Sequence, residues 1–119
     1  MISIIIPVFN EEEVLNALFP RLSNLREDFL PDNECEFIFV NDGSSDKTLE
    51  IIHEKSKLDN KIKIISFSRN FGHQIAITAG IENAAGDYVA VIDADLQDPP
   101  ELISKMHQMA VSDNLDVVY

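Results

Sequence analysis

Four short apolar runs, each closed by polar residues and then by a helix-like pattern, fix what this chain can become. They are Ile2–Val8 and residues 36–41, 61–67 and 88–92. The first is apolar on both faces, as expected of a strand covered on both sides in a parallel sheet. The fourth, Tyr88-Val89-Ala90-Val91-Ile92, is rich in β-branched and aromatic side chains and reads as a buried strand. After the first run, Asn10 is a good N-cap residue, and Glu11, Glu12 and Glu13 load the first helical turn with favourable charge. Val14, Leu15, Leu18, Leu22 and Leu25 then mark one helical face, which Pro20 is expected to kink or split. Asp42-Gly43-Ser44-Ser45 reads as a turn into a second helix, with Leu49 and Ile52 on its face. Residues 74–83 form a short helix of small and apolar residues, and Gly86 ends its connection as glycines commonly do. Pro99 and Pro100 open a further helix carrying Leu102, Ile103, Met106 and Met109, and residues 116–119 begin a fifth strand. Repeated βα units predict an α/β fold with a right-handed, doubly wound, mostly parallel sheet.

Charge narrows the partners. Nine Lys and Arg stand against 21 Asp and Glu, a net charge of -12, which argues against nucleic acid held through its phosphates. The 119 residues, 45% of them hydrophobic, suit one compact unit spanning 1–119. Cys35 is the single cysteine, so no internal disulfide forms, and a reducing, cytoplasmic setting is expected. Glu34 and Glu36 beside it should raise its thiol pKa and make it a poor nucleophile. No apolar stretch approaches the ~20 residues of a membrane span. Met1-Ile2-Ser3-Ile4 lacks the basic start of a signal peptide.

In a doubly wound sheet, ligands bind at the carboxyl ends of the strands. Those ends carry Asn10-Glu11, Asn41-Asp42-Gly43-Ser44, Arg69-Asn70 and Asp93-Ala94-Asp95. Residues two apart in an extended segment point the same way, so Asp93 and Asp95 can face one ligand. Paired carboxylates suit a hard divalent cation, Mg²⁺ or Mn²⁺. A carboxylate at a strand end can also accept from a base N–H or ribose hydroxyls. The first turn, Pro7-Val8-Phe9-Asn10-Glu11, has no glycine, which excludes the dinucleotide fingerprint and the Walker loop.

Three segments then carry a resemblance. Ser3-Ile4-Ile5-Ile6-Pro7-Val8-Phe9-Asn10-Glu11-Glu12, Val40-Asn41-Asp42-Gly43-Ser44-Ser45-Asp46-Lys47-Thr48 and Asp93-Ala94-Asp95-Leu96-Gln97-Asp98-Pro99-Pro100-Glu101 resemble family 2 glycosyltransferases. The likeness is to the polyprenyl-phosphate branch, the dolichyl-phosphate mannose synthase group. It implies a GT-A fold, Rossmann-like, whose N-terminal half binds a UDP- or GDP-linked sugar. By motif match, Pro7, Val8, Asn10 and Glu11 would line the nucleoside pocket and Asp42 would contact the base. Asn70 and Gly72 would flank the nucleotide, with Asp93 and Ala94 beside it. Asp93, Asp95 and Gln97 would hold the cation on the diphosphate, either directly or, for Asp93 and Gln97, through water or the sugar.

Plainer roles compete. Glu11 can simply complement a helix dipole, and Asp42 can simply form a turn. His73 can order its loop, and Arg69 can join a surface ion pair or balance phosphate charge. A receiver domain is a poor match, because the third strand runs into Ser66-Phe67-Ser68 with no aspartate. A nucleotide-sugar-binding module without catalysis is the other alternative. The resemblance implies that this is the donor-binding part of a longer enzyme at the cytoplasmic face of a membrane. Its base would lie downstream of Tyr119, and its acceptor would be a polyprenyl phosphate. The truncated sheet is then expected to transfer no sugar alone, and to self-associate through the edge near Val117 and Val118.

Overall fold

The computed structural model describes residues 1–29, 35–94 and 117–118. Among these residues five strands form one sheet: β1 (Ile2–Val8), β2 (Cys35–Asn41), β3 (Ile62–Ser66), β4 (Tyr88–Val91) and the two-residue β5 (Val117–Val118). Their order is β3-β2-β1-β4-β5, and every pairing is parallel. β1 is therefore central, with β2 and β4 as its neighbours, and all seven of its residues are buried. That placement is why its sequence carries no polar alternation.

Among the described residues three α-helices connect β1 to β4: α1 (Glu12–Asn24), α2 (Thr48–Leu58) and α3 (His73–Glu82). Alternate residues of the strands face opposite layers. Ile4, Ile6, Phe37 and Phe39 join Leu15, Leu18 and Leu22 of α1 and Ile52 of α2 in one core. Ile5, Ile38 and Val40 join Ala76 of α3 in a second core on the other face. The sheet is thus wound on both sides, as the alternating pattern predicts.

Several local expectations need correction. Pro20 does not split the helix: α1 continues through it to Asn24, and the irregularity comes later, as a π-helical turn at Leu25–Phe29. Arg26 of that turn lies over the Phe37 ring at 4.9 Å and pairs with Asp59 at 2.7 Å. Asn10 is not an N-cap. The cap position of α1 is Glu11, and Asn10 has a left-handed backbone, φ 52°. Gly86 does not have a left-handed backbone, and the C-cap of α3 is Asn83. Glycine stands at 86 because a Cβ there would lie 2.7 Å from Ser3 Oγ and 2.9 Å from the Met1 carbonyl. Cys35 is buried, and burial first and then Asp59 push the thiol up, with Arg26 opposing; Glu34 lies outside the described residues. The helix expected from Pro99 lies outside the described residues.

Candidate functional site

At the carboxyl edge of the sheet the strands part. The chain leaves β1 toward β2 and leaves β4 in the opposite direction, which opens the crevice where such sheets bind ligands. A cavity of about 270 Å³ lies there, lined by Pro7, Val8, Phe9, Glu11, Asp42, Asn70, Gly72, His73, Asp93 and Ala94. Eight residues expected from sequence (Pro7, Val8, Glu11, Asp42, Asn70, Gly72, Asp93 and Ala94) therefore line one cavity. Asn10 does not line it. Phe9 and His73 do, and sequence reasoning gave neither a place in the pocket. The signal for Phe9 was its position, the first residue beyond a buried strand and the only ring in that turn.

Asp42 organises the cavity. It follows β2 directly, and its backbone N–H donates to the Val8 carbonyl at 2.9 Å, extending the β1–β2 ladder. The residue is 4% exposed. One carboxylate oxygen accepts the Phe71 N–H at 2.7 Å, and the other accepts the Gly72 N–H at 3.1 Å. Asn70 Nδ2 donates to the Asp42 carbonyl at 3.2 Å. The β3–α3 loop is thus drawn over the end of β2 by one residue. Gly43 allows the approach: its φ is +74°, and a Cβ would meet the Arg69 carbonyl carbon at 2.3 Å. Arg69 stacks on Phe71 at 4.6 Å, and Phe71 meets Phe67 edge-on at 5.5 Å. The Arg69 guanidinium thus finds a ring in its own loop.

The opposite wall comes from β4. Ile92 N–H continues the ladder to the Ile5 carbonyl at 3.0 Å, after which Asp93 is exposed and Ala94 buried. Among the described residues no three of His, Cys, Asp and Glu converge as a metal-binding group. Asp95 and Gln97 lie outside the described residues. Asp93, an exposed carboxylate at the cavity, is a hard oxygen donor of the kind Mg²⁺ and Mn²⁺ take.

A third set of contacts ties the β1–α1 loop to the β2–α2 loop. Asn10 Oδ1 accepts the backbone N–H of Ser45 at 2.8 Å and of Asp46 at 3.3 Å. Ser44 Oγ accepts the Asn10 N–H at 2.9 Å, and Thr48 Oγ1 accepts the Glu11 N–H at 2.8 Å. Asp46 Oδ2 accepts the Glu12 N–H at 3.3 Å while its Oδ1 accepts the Thr48 N–H and hydroxyl. Glu12 returns the contact, accepting the Lys47 N–H. Burial alone would raise the Asp46 pKa, but these hydrogen bonds outweigh it and hold the carboxyl below its ordinary value.

This chain belongs to glycosyl transferase family 2, whose model matches residues 3–119. It is 54% identical over 104 residues to an uncharacterized glycosyltransferase, YkcC, of Bacillus subtilis (strain 168), covering 87% of this chain and 32% of that protein. It is 44% identical over 102 residues to the bactoprenol glucosyl transferase of Shigella phage SfV, covering 86% and 33%. It is 41% identical over 118 residues to the undecaprenyl-phosphate 4-deoxy-4-formamido-L-arabinose transferase of Proteus mirabilis (strain HI4320), covering 98% and 35%. The chain thus spans about a third of the length of these relatives. Among solved structures, S. aureus TarS 1-349 in complex with UDP-GlcNAc matches with a TM-score of 0.68 at 29% identity, over 89% of this chain and 32% of that one. The mannosyltransferase PcManGT of Pyrobaculum calidifontis, in complex with GDP-Man and Mn²⁺, shares the fold, with a TM-score of 0.75 at 20% identity over 92% and 32%. The fold is GT-A. Among the described residues no helix is long and apolar enough to cross a membrane.

Proposed function

We propose that the cavity is the donor site of a glycosyltransferase, taking a UDP- or GDP-linked sugar and serving a polyprenyl-phosphate acceptor. The observation that carries this is the convergence of Pro7, Val8, Glu11, Asp42, Asn70, Gly72, Asp93 and Ala94 on one cavity at the sheet's carboxyl edge. Its volume, just below the ~300–1,000 Å³ of ligand pockets, suits the nucleoside part of the donor. Phe9, 46% exposed, offers a ring face to a base. Each Asp42 oxygen keeps a lone pair beyond its loop hydrogen bond and can accept from a base N–H. Asn10 supports this pocket from behind instead of lining it.

Asp93, with Asp95 and Gln97 close by in sequence, would hold Mg²⁺ or Mn²⁺ on the diphosphate. The cation would neutralise the charge that grows on the leaving nucleoside diphosphate. It would also reconcile an acidic chain with an anionic donor. In the transfer, the bond between the sugar's anomeric carbon and the diphosphate oxygen breaks, and an acceptor oxygen bonds to that carbon. A phosphate oxygen is already anionic, so this acceptor needs no proton removed. The relatives named for bactoprenol and undecaprenyl phosphate support that acceptor class, which would bring the whole enzyme to the cytoplasmic face of a membrane.

Calorimetric titration with UDP and GDP, in Mn²⁺ and in EDTA, tests this. One nucleotide should bind, more tightly with the cation, and Asp95→Ala should abolish that gain. Equal affinity in EDTA and Mn²⁺ removes the metal assignment. Binding of neither nucleotide removes the donor site.

A further inference from the structure

We infer that Asn10 is a positioning residue that sets the shape of the donor cavity without touching the donor. The inference rests on the donor-site reading above. Asn10 is the residue between two cavity-lining ones, Phe9 and Glu11, yet it does not line the cavity itself. Its backbone lies in the left-handed region, φ 52°, where asparagine is one of the few non-glycine residues commonly found. That turn directs the side chain toward the neighbouring loop, where Oδ1 collects the Ser45 and Asp46 N–H groups.

The contact is one end of a reciprocal clasp. Neither α1 nor α2 has a side-chain cap from its own cap residue, so the first N–H groups of each need partners. Glu11 and Glu12 N–H find Thr48 and Asp46, and Lys47 N–H finds Glu12. Each helix start is completed by side chains of the other. The segment Ser44-Ser45-Asp46-Lys47-Thr48 holds more short polar side chains than one helix start can use, and the clasp accounts for the surplus. Because the clasped turn carries Phe9 and Glu11, while Asp42 sits at the start of the β2–α2 loop, the clasp fixes the distance between two cavity walls.

Three variants separate positioning from contact. Asn10→Gly keeps the left-handed backbone and loses the acceptor. Asn10→Asp keeps an acceptor oxygen and loses the amide donor. Asn10→Ala loses both the acceptor and the backbone preference. With Mn²⁺ present, affinity for UDP or GDP, whichever the wild type binds, should fall roughly tenfold in Asn10→Gly, about the loss of one net hydrogen bond, and further in Asn10→Ala. Asn10→Asp should recover most of it. Amide hydrogen exchange at Ser45 and Asp46 should quicken in Asn10→Gly and return toward wild type in Asn10→Asp.

Unchanged affinity in Asn10→Gly overturns the inference. So does weaker binding by Asn10→Asp than by Asn10→Gly, since a new carboxylate hurts most where the amide meets a phosphate directly. If the wild-type protein binds neither nucleotide, the donor-site reading fails by itself. The clasp is still decided then by exchange: quickening at Ser45 and Asp46, with displaced Phe9 and Glu11 resonances, supports it, and an unchanged pattern overturns it.

Discussion

Strand β2 carries a buried carboxylate at each end, and the two are used differently. Glu36, at the amino end, and Asp42, just past the carboxyl end, are 2% and 4% exposed. Both accept backbone N–H groups from a loop folded over the sheet: Ala85 for Glu36, Phe71 and Gly72 for Asp42. Glu36 also accepts the Ser3 hydroxyl and pairs with Lys63, and Ser3 in turn accepts the Gly86 N–H. Burial pushes the Glu36 pKa up, but Lys63, Ser3 and the Ala85 N–H outweigh it and hold the carboxyl below its ordinary value. Among the described ion pairs none involves Asp42. The amino end is closed and charge-matched. The carboxyl end borders a cavity and leaves lone pairs for a ligand. One end holds the fold together and the other is available for function.

The largest expected effect breaks the close approach at the functional end. Gly43→Ala adds a Cβ against the Arg69 backbone at a positive φ, and should lower stability by about 3 kcal/mol or more in denaturant unfolding. A loss under about 1 kcal/mol would mean that the 68–72 loop is free to move aside. Next, Glu36→Ala leaves the buried Ser3 hydroxyl without its acceptor and removes the acceptor of the Ala85 N–H. It should cost about 2–3 kcal/mol of stability while nucleotide affinity stays as in wild type. A matching fall in affinity would join the two ends that the comparison separates.

Asp42→Ala should show the reverse balance. Water in the cavity can reach the Phe71 and Gly72 N–H groups, so unfolding changes less than in Glu36→Ala. Nucleoside diphosphate affinity should weaken by about 1–3 kcal/mol with the metal response intact. Unchanged affinity in the folded variant would return Asp42 to a loop former. The smallest effect is in acid. Because the Glu36 pKa is depressed in the fold, its contribution is full above the ordinary carboxylate value and is lost as pH falls through the lower folded value. Asp59 shifts the same way beside Arg26, whose pairing outweighs the effect of burial. Glu36→Gln should therefore show a shallower loss of stability on acidification than wild type, and an identical slope would remove Glu36 from the acid transition.

Much of this architecture was legible in the residues. The strand runs are long, apolar and bounded, so β1 to β4 fall within a residue or two of their expected limits. The strand-end rule gathered Glu11, Asp42, Asn70, Asp93 and Ala94, and the family resemblance added Pro7, Val8 and Gly72. What neither could supply was tertiary. Asn10 has the composition of an N-cap, yet its left-handed backbone and its partners Ser45 and Asp46 are set by another loop. Gly86 looked like an ordinary glycine at the end of a connection because local sequence cannot show that Ser3 and Met1 press against it. Pro20 was expected to kink or split a helix that does not split, its packing on β1 and β2 carrying it through to Asn24. Phe9 and His73 reached the cavity because the turn after β1 and the start of α3 converge there, a matter of chain path and not of composition.

The most direct test of the donor site is to map it. Amide resonances of the protein should be followed by NMR during titration with UDP and with GDP in the presence of Mg²⁺, a diamagnetic cation. For the nucleotide that binds, saturable shifts should centre on Phe9, Glu11, Asp42, Gly72, His73 and Asp93, and leave Ala85 and Gly86 at the far end of the sheet unmoved. Shifts clustered away from the cavity, or none with either nucleotide, would contradict the account.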